Sequence, residues 1–233
     1  MRLIAIETAT EWCSVALWHD GETAALETRA GNRHADRVLP MLEQLLASAG
    51  TAMSQLDAIA FGAGPGSFTG LRIGCGVAQG IAFARDLPVL GISTLEAIAE
   101  ESGAASVIAA LDARMGEVYC AAYRRAGKLW REVHPPECIA PAHAPRPAGA
   151  DWTGCGNGFT LYRAALESAL RGALLHCAPL VRPSAAGVAR LAAPRLASGA
   201  GVDAALAAPL YLRDKVALTT AEQQRVKRPA RVV

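Results

Sequence analysis

The amino-acid sequence predicts an α/β fold made of two related halves. Three observations carry that reading. Residues 3–49 run strand, strand, strand, helix. The same succession of strands starts again after Gly103. Between them, residues 56–74 pass from an apolar strand through a glycine-rich turn into a helix.

Taken in order, Leu3-Ile-Ala-Ile-Glu-Thr8 is a short apolar run with the length of a buried strand, and Cys13-Ser-Val-Ala-Leu-Trp18 is a second. His19-Asp-Gly-Glu22 is a hairpin turn of the Asp-Gly kind leading to a third strand over 23–28. A helix follows over 33–49 and stops at Gly50. Its Val38, Leu39, Met41, Leu42, Leu45 and Leu46 give more apolar surface than one buried face needs, and Pro40 predicts a bend or a late start. Strand 56–61 leads to Ser67, placed as the N-cap of a helix over 67–84. That helix carries Gly66, Gly70, Gly74, Ala78 and Ala82 four residues apart, with Gly76, Gly80 and Ala84 beside them. An interior glycine costs about 1 kcal/mol against alanine, so the smooth face predicts close packing against another helix.

A strand over 87–92 and a short helix capped by Ser93 or Thr94 precede Gly103. Strands over 106–112 and 117–124 then pair around Arg114-Met-Gly116, and residues 125–130 turn into a third strand. The proline-rich stretch 134–147 reads as a surface loop. Residues 151–158 form a strand that ends in a glycine turn, followed by helices over 159–170 and 184–197. The division expected is one domain over 1–104, a second over 105–218, and a basic, disordered tail over 219–233.

With 233 residues, 52% of them hydrophobic, the chain can bury a sizeable core without staples. A net charge of +2 does not mark a nucleic-acid binder. The six cysteines are scattered, with no Cys-x-x-Cys pair, and read as reduced thiols, with Cys75 and Cys120 in the core. Glu7 comes too early for a signal peptide and no apolar run is long enough to span a membrane, so a cytoplasmic protein is expected.

Strand, glycine turn and helix N-terminus suit an anion in general. A phosphate loop, however, ends in Gly-Lys-Ser/Thr, and here Gly66 is followed by Ser67, with Lys128, Lys215 and Lys227 far away. The dinucleotide fingerprint fails as well, because Gly70 comes one residue late. No two of His19, His34, His134, His143 and His176 share the i, i+4 spacing that sets two imidazoles on one helical face, so no metal site is expected. His34 reads as a cap or an interface hydrogen-bonder.

Two halves of this kind, with a turn after the first strand, resemble the actin, hexokinase and Hsp70 superfamily, whose halves are ribonuclease H-like. The phosphate-gripping Asp-x-Gly of that superfamily is replaced here by Ile6-Glu-Thr-Ala-Thr10. Within it, four stretches resemble the TsaB (YeaZ) family: Ala5-Ile-Glu-Thr-Ala-Thr10, Arg33-His-Ala-Asp36 with Leu39-Pro40, Gly64-Pro-Gly-Ser-Phe-Thr-Gly-Leu-Arg-Ile-Gly74, and Pro209-Leu-Tyr-Leu-Arg213. The resemblance implies two actin-like α/β domains and a non-catalytic subunit of tRNA threonylcarbamoyladenosine biosynthesis. In that family the partner is TsaD, which transfers the threonylcarbamoyl group to the adenosine beside the anticodon, and the ATPase TsaE joins them. It also implies a homodimer in isolation and no resident cofactor, any nucleotide lying at the interface of the assembly. Contact with tRNA would be indirect or through the basic tail.

Residues and resemblance together assign the partner surface to the two helices 33–49 and 67–84. Arg33, His34, Leu39, Leu42, Leu46, Ser67, Phe68, Leu71, Arg72 and Ile73 are its candidate residues. Two rival functions stay open. An actin-like ATPase or kinase would use a degraded nucleotide cleft near Glu7, Thr8, Asp112 and Gly156, though without the Asp and Gly of the first turn. A peptidase needs a His-Glu-x-x-His pair, which is missing, or a nucleophile with a histidine beside it in space.

Overall fold

The structure, a computed structural model, describes residues 1–213. The basic tail expected from Thr219 lies outside the described residues.

The first half opens with β1 (Arg2–Glu7), β2 (Trp12–His19) and β3 (Glu22–Arg29), then α1 (His34–Ser48). Next come β4 (Ala58–Gly64), α2 (Phe68–Arg85), β5 (Val89–Ser93) and α3 (Thr94–Glu101). The second half holds β6 (Ser106–Arg114), β7 (Glu117–Ala126), β8 (Leu129–Ile139), β9 (Trp152–Cys155) and β10 (Leu174–Ala178), with α4 (Gly158–Leu161), α5 (Arg163–Ala169) and α6 (Ala185–Ala197).

The strands form two five-stranded sheets, ordered β3-β2-β1-β4-β5 and β10-β9-β6-β7-β8. Written from the other end, the second order is β8-β7-β6-β9-β10, so each strand of the first half has a counterpart five strands later. The pairing senses match too. β1 is antiparallel to β2 and parallel to β4, and β6 is antiparallel to β7 and parallel to β9. Both sheets are therefore mixed.

Alternation along β1 shows how the sheets are buried on two faces. Leu3 and Ala5 point into one apolar cluster, Ile4 and Ile6 into another. The Ile4 side packs under α1 and α2. The Leu3 side belongs to a larger core shared by both sheets, filled by Leu95 and Ile98 of α3 and Val188 and Ala192 of α6. Helix α6 comes from beyond residue 104 yet lies across β1, β2 and β4 of the first sheet. A third cluster, with Trp152, Phe159 and Leu166, fills the outer side of the second sheet.

The local signals hold at several points. Asp20 and Gly21 both have positive φ, 49° and 98°, as an Asp-Gly hairpin of the primed type requires. Ser67, Ser93 and Ser184 cap α2, α3 and α6, each accepting an amide of the first turn. Cys75 and Cys120 are buried, and all six cysteines are free thiols. Other expectations are corrected. Helix α1 starts at His34, so Pro40 stands inside it on the exposed side rather than marking a late start. The proline-rich stretch is strand up to Ile139, because β8 is an edge and its ladder with β7 is broken between His134 and Glu137, so Pro135 and Pro136 need give no amide there. The helix expected over 159–170 breaks at Tyr162 into α4 and α5, and β10 had no counterpart in the sequence reading.

A candidate partner surface and the pocket behind it

Helices α1 and α2 lie side by side on the outer face of the first sheet. Val38, Met41, Leu42, Leu45 and Leu46 of α1 and Leu71 of α2 are buried within this chain. Leu42, Leu46 and Leu71 were expected at a partner surface, and they are core positions instead. An α-helix shows a partner only the side turned from its own sheet. Leu39 is 50% exposed and Phe68 38%. Arg33 and Arg72 are exposed, Arg33 pairing with Asp36 at 3.2 Å. Ile73 is half-buried at the edge of the core. His34 is sealed, and its Nε2 lies 3.2 Å from the Trp12 carbonyl, so the ring donates there and ties α1 to β2. Ser67 Oγ is engaged as the helix cap, 3.3 Å from the Gly70 amide.

The glycines of α2 and of the turn before it divide by face. A Cβ on Gly66 would meet the Ala9 carbonyl, one on Gly70 the Thr8 carbonyl, and one on Gly74 the Thr8 hydroxyl. The inward row is thus smooth for the chain's own β1–β2 turn, not for another helix. Thr8 completes that contact by donating its hydroxyl to the Gly70 carbonyl at 2.8 Å. Gly76 and Gly80 point the other way, and among the described residues a Cβ on either would meet nothing within 4 Å.

Behind Ser67 and Phe68 lies a pocket of about 470 Å³ between the two halves. Its walls come from equivalent turns. Ala9, Thr10 and Glu11 of the β1–β2 turn face residues 111–115 at the end of β6 and the start of the β6–β7 turn. Pro65, Gly66 and Ser67 of the β4–α2 turn answer Asn157 of the β9–α4 turn, and residues 210–213 form a further wall. Asp112 is held hard. It accepts the Tyr162 hydroxyl at 3.0 Å and the Arg114 amide at 2.9 Å, and it pairs with the Arg114 guanidinium at 3.2 Å. Asn157 accepts the Asp112 amide at 2.9 Å. Gly156 next to it has φ of 99°, and a side chain there would run into the Ala110 carbonyl. Burial pushes the pocket-lining Tyr119 phenol above its ordinary value.

Glu7 and Thr8 do not line this pocket. Glu7 is sealed beneath the first turn, where Oε1 accepts the Ala9 amide at 2.6 Å. The Thr94 hydroxyl faces it from α3 without completing a hydrogen bond, leaving Glu7 Oε2 and Thr94 Oγ1 unpartnered among the described residues. Desolvation raises the Glu7 carboxyl from 4.5 to about 7, against the lowering pull of the Ala9 and Thr8 amides. Among the described residues no three of His, Cys, Asp and Glu come together as a metal cluster. Sequence reasoning missed Tyr211, Arg213 and Tyr162 as site residues, whereas Asn157 falls in the stretch 154–158 expected near the cleft. The Pro209-Leu-Tyr-Leu-Arg213 motif was a visible signal for the first two, but nothing local says what a tyrosine or arginine there will touch.

Comparison with known proteins settles the kinship. The family model described as TsaD, tRNA N6-adenosine threonylcarbamoyltransferase, matches residues 27–221. The tRNA threonylcarbamoyladenosine biosynthesis protein TsaB of Escherichia coli is 38% identical over 225 residues, covering 93% of this chain and 96% of its own. The chain belongs to the TsaB (YeaZ) family. TsaB of Haemophilus influenzae is likewise 38% identical, over 229 residues, covering 93% of this chain and 95% of its own. The solved structure of YeaZ from Pseudomonas aeruginosa superposes with a TM-score of 0.84 at 40% identity, covering 91% of this chain and 99% of that one. The TsaB fold is thus shared over nearly the whole length, as two mixed sheets with flanking helices.

Proposed function

We propose that this protein is a non-catalytic, cytoplasmic subunit of the machinery that makes threonylcarbamoyladenosine in tRNA. It docks on a TsaD-type catalytic subunit through the outer faces of α1 and α2, and a TsaE-type ATPase joins the pair. In isolation the same face serves a homodimer. Contact with tRNA runs through the partner.

The observation that carries this reading is the outward glycine pair. Gly76 and Gly80 weaken α2 by about 1 kcal/mol each relative to alanine, and among the described residues no atom lies close enough to require them. Helical periodicity puts Phe68, Thr69, Arg72 and Phe83 on the same side of α2, all exposed, a strip of two aromatic rings with a cation between them. A helix from a partner can approach the backbone there, as at other small-residue helix contacts. The kinship to proteins named for tRNA threonylcarbamoyladenosine biosynthesis supports the pathway.

The test is a tRNA-modification assay with purified TsaD-type and TsaE-type subunits and an enzyme supplying threonylcarbamoyl-adenylate. Modified adenosine is expected only when this chain is present, and full modification without it would sink the proposal. A second reading, an actin-like ATPase or kinase, is favoured only by the pocket at Asp112 and Asn157. ATP turnover or phosphoryl transfer by this chain alone would establish it.

A further inference from the structure

Residues 209–213 cross from one half of the molecule to the other. At the first-half end, the Leu210 amide donates to the Ala63 carbonyl at 2.7 Å. Gly64 beside it must lack a side chain, because a Cβ there would stand 2.8 Å from the Leu210 carbonyl. Tyr211 packs against Phe68 with ring centroids 5.4 Å apart, and its hydroxyl accepts from Arg72 Nε at 3.2 Å. Arg72 in turn lies 4.0 Å from the centre of the Phe68 ring.

At the second-half end, Arg213 grips the β6–β7 hairpin. Nη1 donates to the Ala113 carbonyl at 2.9 Å, Nη2 donates to the Arg114 carbonyl at 3.4 Å, and the guanidinium pairs with Glu117. That hairpin tip is strained. Arg114, Met115 and Gly116 have φ of 64°, 55° and 80°, and only the last is glycine. Such residues persist where their surroundings over-determine them. Asp112 supplies one restraint by accepting the Arg114 amide, and Arg213 supplies the other by holding the carbonyls.

We propose that residues 209–213 are a clasp that couples the β6–β7 hairpin of the second half to the Phe68–Arg72 corner of α2. Only Leu212 separates the tyrosine held at one end from the arginine held at the other, so the clasp has little slack to absorb movement of either side. Loosening one end therefore loosens the other, and coupling of this kind is reciprocal. The consequence for assembly rests on the partner surface proposed above. A partner seated on Phe68 and Arg72 also meets Tyr211, and so senses how the pocket between the halves is closed.

Amide hydrogen exchange on the whole chain tests the clasp. Arg213→Ala is expected to speed exchange about tenfold or more at residues 112–117 and also at 64–72. Tyr211→Phe deletes only the hydroxyl that Arg72 reaches, and it should give the same two-ended pattern at lower amplitude with no loss of packing. Acceleration confined to the mutated end in both variants would overturn the proposal. Adding a TsaD-type subunit to the unmodified chain separates the two readings. Protection of both segments supports the clasp and the partner surface together. Binding that protects neither removes the partner surface, while the exchange data on the isolated variants still decide the clasp.

Discussion

Glu7 shows what one buried carboxyl costs this fold. It is fully enclosed, its Oε2 has no partner, and Gly62 is glycine because a Cβ there would collide with the Glu7 carboxylate. The folded state holds its proton up to about pH 7, whereas an unfolded chain releases it near 4.5. The stabilisation from the neutral form is therefore complete below about pH 4.5 and is lost as pH rises through 7. The loss is about 3 kcal/mol, taking 1.36 kcal/mol per pH unit of difference. Glu7→Gln should flatten this slope and make the chain more stable than its parent at pH 8, since an amide stays neutral and can donate towards Thr94. Urea midpoints at pH 5 and pH 8 check it, and an unchanged slope in the variant would remove Glu7 as the cause. The sequence marked Glu7 for a cleft because it ends the first strand. Whether a strand's last side chain turns into a cleft or under the turn depends on the residue across the sheet, here Gly62, which is 55 positions away.

At the scale of elements, α2 is a helix with two glycine faces, and the sequence does not say which face serves which purpose. The 67–84 helix, its cap and its preceding strand were legible, since capping and periodicity are local. The partner of the inward glycines was not, because the β1–β2 turn reaches them from about sixty residues earlier. Alanine substitution separates the faces. Gly70→Ala forces a methyl into the Thr8 carbonyl and should destabilise by about 2 kcal/mol or more. Gly76→Ala and Gly80→Ala enter open space and should each stabilise by about 1 kcal/mol. If the outward pair is a docking face, the same two variants weaken binding to a TsaD-type subunit in titration calorimetry while raising the melting temperature. Binding unaffected by both would take the contact off this face. Leucine positions follow the same division. Leu42→Glu buries a charge in the core and should prevent folding, readable by circular dichroism. Leu39→Glu, on the exposed side, should leave the fold intact and act on assembly.

For the whole molecule, the repeat of the strand order was readable from two strand-strand-strand openings, yet the way the halves share material was not. Helix α6 was placed in the second stretch by its position in the chain. Its Val188, Ala189 and Ala192 instead fill a core with Leu3, Ala5 and Ala60 of the first sheet. The charges follow the same arrangement. Glu96 of α3 takes a paired contact from Arg195 of α6, and Arg190 reaches Glu100 and Glu101. Ser14 on β2 accepts the first amide of α6 at 2.8 Å. A chain cut after residue 104 keeps every strand of the first sheet but loses the helix that covers one of its faces. Leu3, Ala5, Ala16, Ala58 and Ala60 would then meet water, and a small domain seldom tolerates an uncovered sheet face. The fragment 1–104 should therefore fail to give dispersed amide resonances, and the full chain should unfold in one step. Sheet-one and sheet-two probes, such as Trp18 and Trp152, should show coincident urea transitions. Two separate transitions, or a fragment 1–104 that folds alone, would mean that the shared core contributes little and that the halves are independent domains.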